Sequence, residues 1–444
     1  MTFRRALGPF DATMVVVGAI IGAGIFINPS IVASRLPAGS HVLAAWTLGG
    51  LIALAGAFAY AELAAILPRA GGQYVYLKEA YHPLVGFLYG WALLTTIESG
   101  ALAAVAMTFA EYALRLVGRP GVEPAPLAVM AVVVVSVVNY LGVKPGSRLL
   151  NVFVVLKVLA IGLLIAAGAV LPAGPAALGD TGVATSSSLP VAYGAALVPI
   201  LFAYGGWQNV NYVAEEVRDP QRNLPLSLLA GTALVVAVYL LVNVTYLRAL
   251  GAAGLADTLT PAADAAGRAL GPAGDRFVAA AIAVSTFGFL DLGVLAPTRV
   301  YYAMAADGYF APSVARLHPR YQTPSVAIVL QTSWTIVLAV TGNYGDLLDS
   351  VVFADWIFFG LTVGSLFVFR RRLPLESRPR GTFSASGYPL APALFVLVAA
   401  GVVLSVILST PVRSGAGALL LAAGIPVYYW FSRSSGTRSS NDTR

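Results

Sequence analysis

The sequence predicts an all-α protein that crosses a membrane many times. Charged residues make up 11% of its 444 residues, against roughly 25% in soluble domains. Hydrophobic residues make up 58%, and the mean hydropathy is +0.80. The apolar residues also collect into stretches of the length a bilayer needs, about 20 residues for a spanning helix. Twelve such spans are read at roughly 10–35, 43–67, 84–117, 126–142, 147–171, 192–216, 225–250, 274–304, 324–341, 345–369, 389–409 and 415–431.

The first span breaks itself in the middle. Met14 to Ile21 is followed by Gly22-Ala23-Gly24, then by Ile25-Phe26-Ile27 and Asn28-Pro29. Glycine costs a helix about 1 kcal/mol relative to alanine. Non-helical backbone at membrane depth is tolerated only where it is buried in protein or lines a wet cavity. Opening the helix there frees N–H groups at the start of its second half, which with the helix dipole suit a carboxylate. It also frees the carbonyls of Ala19, Ile20 and Ile21, which suit an ammonium. The competing explanation is close helix packing, since Gly18 and Gly22 form a GxxxG pair.

Pro and Gly punctuate most span boundaries, and spans eleven and twelve are bland aliphatic stretches that read as packing or oligomer contacts. Pro68 ends the second span, and after Gly71-Gly72 a short amphipathic stretch runs from Gln73 to Tyr81. Glu62, near the end of the second span, reads as structural. Glu98 lies near the middle of the third, where a carboxylate is a functional candidate by default. Lys157 lies about ten residues into the fifth span, near mid-bilayer at about 1.5 Å per residue. A charge there needs partners, and Ser285 or Thr286 of the eighth span are the expected oxygens.

The sixth span repeats the break of the first. Ile200-Leu201-Phe202-Ala203-Tyr204 leads into Gly205-Gly206 and Trp207-Gln208, and the carbonyls of Phe202, Ala203 and Tyr204 are available to complete an ammonium site. Glycine-interrupted segments in matching positions of two halves point to a transporter's binding site. The second break lies five spans after the first, so the broken helices run in opposite directions, as an inverted repeat requires. The inner end of the sixth span, Glu215 to Arg222, is either a gate clasp or a solvated loop.

The remaining elements follow. After the seventh span, Gly251 to Asp275 forms a long connection with a short helix at Ala262 to Leu270. The eighth carries Asp291, again an intramembrane carboxylate; like Glu98 it is read as a coupling-proton carrier, as a contact to a polar or cationic substrate side chain, or as a buried hydrogen-bonded or ion-paired carboxylate, for example with Lys157. Arg299 at its end reads as structural. The tenth carries Asp355, to which the sequence assigns no role. Residues 1–432 thus read as a single transmembrane domain, with repeats at 8–171 and 192–372 separated by a 172–190 loop. Spans eleven and twelve lie at 389–432, and 433–444 reads as a disordered cytoplasmic tail.

The net charge of +7 is topology and not a nucleic-acid footprint. Placing both termini in the cytoplasm puts most of the 27 Lys and Arg residues in the inner loops, as the positive-inside rule demands. Cysteine is absent and histidine occurs only as His41, His82 and His318. No metal site, cofactor or enzyme chemistry is expected, and no continuous polar stripe suggests a channel.

The runs GAIIGAGIFINPS (Gly18 to Ser30), YAEL (Tyr60 to Leu63), GGQYVYL (Gly71 to Leu77), FAYGGWQNVNYVAEEVRDPQRNLPLS (Phe202 to Ser227) and STFGFLDLGVLAPTR (Ser285 to Arg299) resemble the L-type amino acid transporters, of bacterial type, within the amino acid–polyamine–organocation superfamily. The resemblance spans residues 8–372. It implies the leucine-transporter fold and alternating access. It implies that Gly22, Ala23 and Gly24 bind the α-carboxylate, that carbonyls of Ile20, Ile21, Phe202 and Ala203 bind the α-ammonium, that Phe202 gates and that Gln208 lies nearby. It implies that Lys157 stands in for a sodium ion. Animal members carry a cysteine between spans three and four for a disulfide to a heavy chain. Gly118 to Pro126 has none, so no such partner is expected. Ala23, Asp291 and Glu98 depart from the family's usual residues around the site. The expected activity is sodium-independent exchange or facilitated transport of L-amino acids across the cytoplasmic membrane. The alternative is a proton-coupled permease for a cationic amino acid or amine, motivated by Glu98 and Asp291.

Overall fold

The computed structural model describes residues 3–119, 121–170, 177–182, 188–341, 344–379 and 381–439, without the side chains of 344–352 and 434–439. Among these residues the chain is helical, with two isolated β-bridges and no strand ladder. Backbone groups in a bilayer must be satisfied within the segment, which leaves a single chain of this hydropathy little choice but helices.

The first span is two helices, α1 (Pro9–Ile20) and α2 (Gly24–Ala33), bent by 43° at the glycines. After α3 (Gly39–Ile66) and the short α4 (Gln73–Ala80), the third span comprises α5 (Pro83–Ala92), a π-helical turn at Leu93–Ile97 and α6 (Glu98–Leu116). Helices α7 (Ala125–Tyr140) and α8 (Val143–Val170) follow. The sixth span is α9 (Leu189–Ala203), the break, and 3₁₀ turns at Trp207–Asn211 and Ala214–Glu216. Then come α10 (Pro220–Asp257), kinked at Gly251, and α11 (Pro261–Leu270), the short helix expected at Ala262 to Leu270. The chain closes with α12 (Gly274–Leu295), α13 (Thr298–Ala306), α14 (Ser325–Thr341), α15 (Tyr344–Arg372), α16 (Leu390–Ser409) and α17 (Pro411–Ser439).

Nine of these helical segments are long and apolar enough to cross a membrane, and the bent α1–α2 pair makes a tenth. Helices α7 and α14 are apolar but shorter. Helix α17 runs to Ser439, past Ser432 where the sequence places the start of a disordered tail; 440–444 lie outside the described residues. Most of the expected 172–190 loop lies outside them too.

The two broken spans pass one another in opposite directions. Helix α2 packs against α9, and α1 packs against the 3₁₀ turn at Trp207–Asn211 as well as α8, α10 and α12. The breaks interlock at two glycines. A Cβ on Gly24 would stand 3.2 Å from the Cβ of Ala203, and one on Gly206 would stand 2.4 Å from the Ala19 carbonyl oxygen. Gly206 also holds φ +109°, a conformation that side chains rarely adopt. Gly18 packs tightly on α8, where a Cβ would meet Val154 at 2.8 Å, whereas Gly22 meets nothing closer than Phe289 at 3.9 Å. Close packing therefore explains Gly18 and not Gly22.

The end of the bundle that carries the basic loops is tied together by buried polar contacts. Arg299 donates to both carboxyl oxygens of Glu216, at 2.6 and 3.3 Å. The Ala6 and Leu7 amides donate to the Glu216 carbonyl, and the Arg218 amide to the Leu7 carbonyl. Glu62 accepts from Arg370, Arg378 and the Ala385 amide. Lys78 and the Tyr74 hydroxyl both reach Asp307 at 2.8 Å. Burial and that carboxylate push the Tyr74 phenol above its ordinary value, so it remains a donor. Glu62 and Arg299 are thus structural, and the charged end of the sixth span is a clasp through Glu216.

Candidate functional site

A cavity of about 290 Å³ lies beside both breaks. Its floor comprises Ala19, Ile20, Gly22, Ala23 and Gly24 from the first break, with Phe202, Ala203, Gly205, Gly206 and Gln208 from the second. From there it extends along α2 (Ile27, Asn28, Ile31) and α6 (Glu98, Ala101, Ala104, Val105), away from the basic end. Asp355, Trp356 and Phe359 of α15 and Phe289 of α12 close it laterally.

The first break supplies donors. Among the described residues no acceptor faces the N–H groups of Ala23 and Gly24, which open α2. These amides sit at a helix N-terminus, where a negative charge is favoured. Gly22 differs from expectation: it lines the cavity, but its amide donates to the Ile20 carbonyl at 2.9 Å.

Carbonyl acceptors divide unequally between the breaks. The Ile20 carbonyl already accepts from Gly22 and from the Tyr239 hydroxyl at 2.9 Å. The Ile21 carbonyl accepts from Lys157 at 2.6 Å and from the Ser285 hydroxyl at 3.3 Å, and Ile21 does not line the cavity. This corrects the expectation that Ile21 faces a ligand. Its backbone turns to the opposite side of the break because a buried ammonium binds there. The Phe202 carbonyl accepts from Gly205 at 3.1 Å, and among the described residues no donor reaches the Ala203 carbonyl. Gln208 accepts the Gly206 amide at 3.1 Å, so it fixes the second break as well as lining the cavity.

Lys157 is fully buried on α8. Its ammonium donates to the carbonyls of Gly18 at 3.1 Å and Ile21 at 2.6 Å. Ser285 links the Ile21 carbonyl and its neighbour Gly22 to α12, reaching each at 3.3 Å. Thr286, its equal in the sequence, bonds instead to Ile282 of its own helix. A single cation therefore joins the broken end of α1 to α8 and, through Ser285, to α12.

Asp291 does not join this group. It accepts from Asn139 of α7 at 2.7 Å and lines no part of the cavity. The ion pair of Asp291 with Lys157 is absent, because the two residues point from their helices toward different neighbours. Glu98 does reach the cavity, from the first residue after the π turn. Asp355, which the sequence left without a role, lines it as well. The general cost of an intramembrane carboxylate was its only sequence signal.

Comparison with known proteins identifies the family. A family model described as amino acid permease matches residues 7–431. The chain is 31% identical to the human b(0,+)-type amino acid transporter 1 over 97% of its own length and 88% of that protein. It is 29% identical to the serine/threonine exchanger SteT of Bacillus subtilis, over 96% of each chain. It is 30% identical to the human cystine/glutamate transporter, over 96% of its own length and 85% of that protein.

Proposed function

The chain belongs to the amino acid permease family and is a multi-pass membrane transporter, not an enzyme; we propose that it exchanges L-amino acids across the cell membrane, independently of sodium, by alternating access. One observation carries this reading: the two breaks meet at one cavity with unpaired groups of opposite polarity. The free amides of Ala23 and Gly24 receive the α-carboxylate. The carbonyls of Ala203 and Phe202 receive the α-ammonium, with Ala19 beside them. Phe202 is the side chain at the second break that moves over bound substrate. Relatives named as exchangers and amino acid transporters support the exchange mode.

Lys157 supports sodium independence, because its ammonium already supplies a positive charge to the carbonyls of Gly18 and Ile21. The basic end, with Glu216 and Arg299 clasped, is the cytoplasmic side, and both termini lie there. On this reading α7 and α14 also cross the bilayer, giving twelve spans in two inverted repeats.

Reconstitution into proteoliposomes tests the proposal. Uptake of a labelled amino acid should require unlabelled amino acid inside and should ignore an imposed pH gradient. Uptake into empty vesicles that scales with the proton gradient would replace exchange by proton coupling.

A further inference from the structure

Four carboxylates are buried among the helices in ways that invite comparison. Glu62 is held by two arginines and an amide, Glu216 by Arg299, and Asp291 by Asn139. Glu98 differs. It is 6% exposed, its carboxyl makes no hydrogen bond among the described residues, and its Oε1 is buried without a partner. A second carboxylate, Asp355, stands on the same cavity with Oδ1 also unpartnered, and the two lie within electrostatic reach of each other. No Lys or Arg lines the cavity. Lys157 is committed to Gly18 and Ile21 on the far side of the first break.

The seat of Glu98 is built into two helices. The π turn at Leu93–Ile97 places an extra residue in the helix just before it. One added residue rotates everything after it by about 100° in a helix of 3.6 residues per turn, and such turns recur at functional sites. On the facing helix, Gly293 leaves the room: a Cβ there would stand 2.6 Å from Glu98 Oε1. Between these carboxyls and the breaks the walls are apolar or aromatic, with Ile97, Ala101, Trp356 and Phe359.

A buried carboxylate without a partner is unfavourable, and a cation brought to it relieves the cost. We propose that Glu98 and Asp355 form a side-chain subsite that selects amino acids ending in a cation, an ammonium or guanidinium on an aliphatic stem. The stem lies along the apolar wall, and the aromatic faces of Trp356 and Phe359 favour the same charge. This rests on reading the two breaks as the zwitterion site. It departs from the sequence expectation in its acidic partner, which is Asp355 and not Asp291.

The test is exchange in proteoliposomes, with binding to the purified protein followed in parallel by thermal shift. L-arginine, L-lysine, L-leucine and L-alanine are compared for wild type, Glu98→Gln and Asp355→Asn. Wild type should favour arginine or lysine over leucine by at least about tenfold. Each variant should lose about tenfold or more toward the cationic substrates, the loss expected for one hydrogen bond to a charged group, while alanine is held as well as before or better. That retained alanine binding also shows that the variants fold. Equal handling of leucine and arginine by wild type overturns the subsite, as does an arginine preference that survives both substitutions. Preferential binding of arginine without any exchange leaves the subsite standing and removes the exchange reading instead.

Discussion

The first break, Gly22-Ala23-Gly24, and the second, Gly205-Gly206, interrupt their spans with the same residue type, yet they resolve in opposite senses. The first bends by 43°, starts a new α-helix at once, and leaves free amides on the cavity side. Its carbonyls are consumed from behind, by Tyr239 at Ile20 and by Lys157 and Ser285 at Ile21. The second unwinds into a 3₁₀ turn, keeps its amides engaged at Gly205 and Gly206, and leaves the Ala203 carbonyl without a donor. The difference teaches a division of labour. A broken helix frees donors and acceptors together, and the neighbours decide which of them remain for a ligand. Here Lys157 and Ser285 engage the Ile21 carbonyl of the first break, and on the proposed reading that break takes the carboxylate and the second takes the ammonium.

Removing Lys157 should break this arrangement most severely. Lys157→Ala takes its donor from the buried Gly18 carbonyl and leaves the Ile21 carbonyl to Ser285 alone, at about 1–3 kcal/mol for an unsatisfied group, and exchange in proteoliposomes should fall by about 100-fold while the protein still inserts. A wild-type rate would reduce Lys157 to packing.

The ligand itself separates the two poles. An amino acid methyl ester should bind about 10- to 100-fold more weakly than the free acid, given about 1.5–3 kcal/mol for a hydrogen bond to a charged group. The 2-hydroxy acid keeps the carboxylate and loses the ammonium, and so probes the second break alone. Equal affinity for acid and ester, read by thermal shift, would refute the carboxylate assignment.

Within the second break the two glycines should differ. Gly206→Ala meets both the +109° φ and the Ala19 carbonyl, whereas a Cβ on Gly205 approaches nothing closer than the Phe202 oxygen, at 3.3 Å. Strain of about 1–3 kcal/mol at such a backbone position predicts a clear fall in melting temperature for Gly206→Ala and little for Gly205→Ala. A smaller effect is expected at Ser285, where Ser285→Ala removes hydroxyl contacts worth about 0.5–1.5 kcal/mol and should slow exchange a few-fold. Replacing sodium by choline should change the wild-type rate not at all; a sodium requirement would show that Lys157 does not stand in for the ion.

Much of the fold was legible because its signals are local. The break at Gly22 to Gly24, the short helix at α11, the amphipathic α4 and the burial of Lys157 each follow from what one segment costs in a bilayer. The site was legible in part. Of the residues read as substrate-binding, Ile20, Gly22, Ala23, Gly24, Phe202, Ala203, Gln208 and Glu98 line the cavity. Ile21 and Asp291 do not, and Asp355 does. The spans that carry these residues are apolar around most of their circumference, so their sequence contains little that fixes which side faces a neighbour.

What the sequence determined by itself is therefore a helical membrane protein with two glycine breaks and one deeply buried lysine. Helix propensity and the cost of charge in lipid are properties of the residue and its depth alone. What only the tertiary structure decided is pairing and placement: Lys157 with Gly18 and Ile21, Asp291 with Asn139, and Glu98 and Asp355 on the lining of one cavity. Pairing depends on helix rotation, on the π turn before Glu98 and on close approaches at Gly24, Gly206 and Gly293, which are set by packing between segments far apart in the chain.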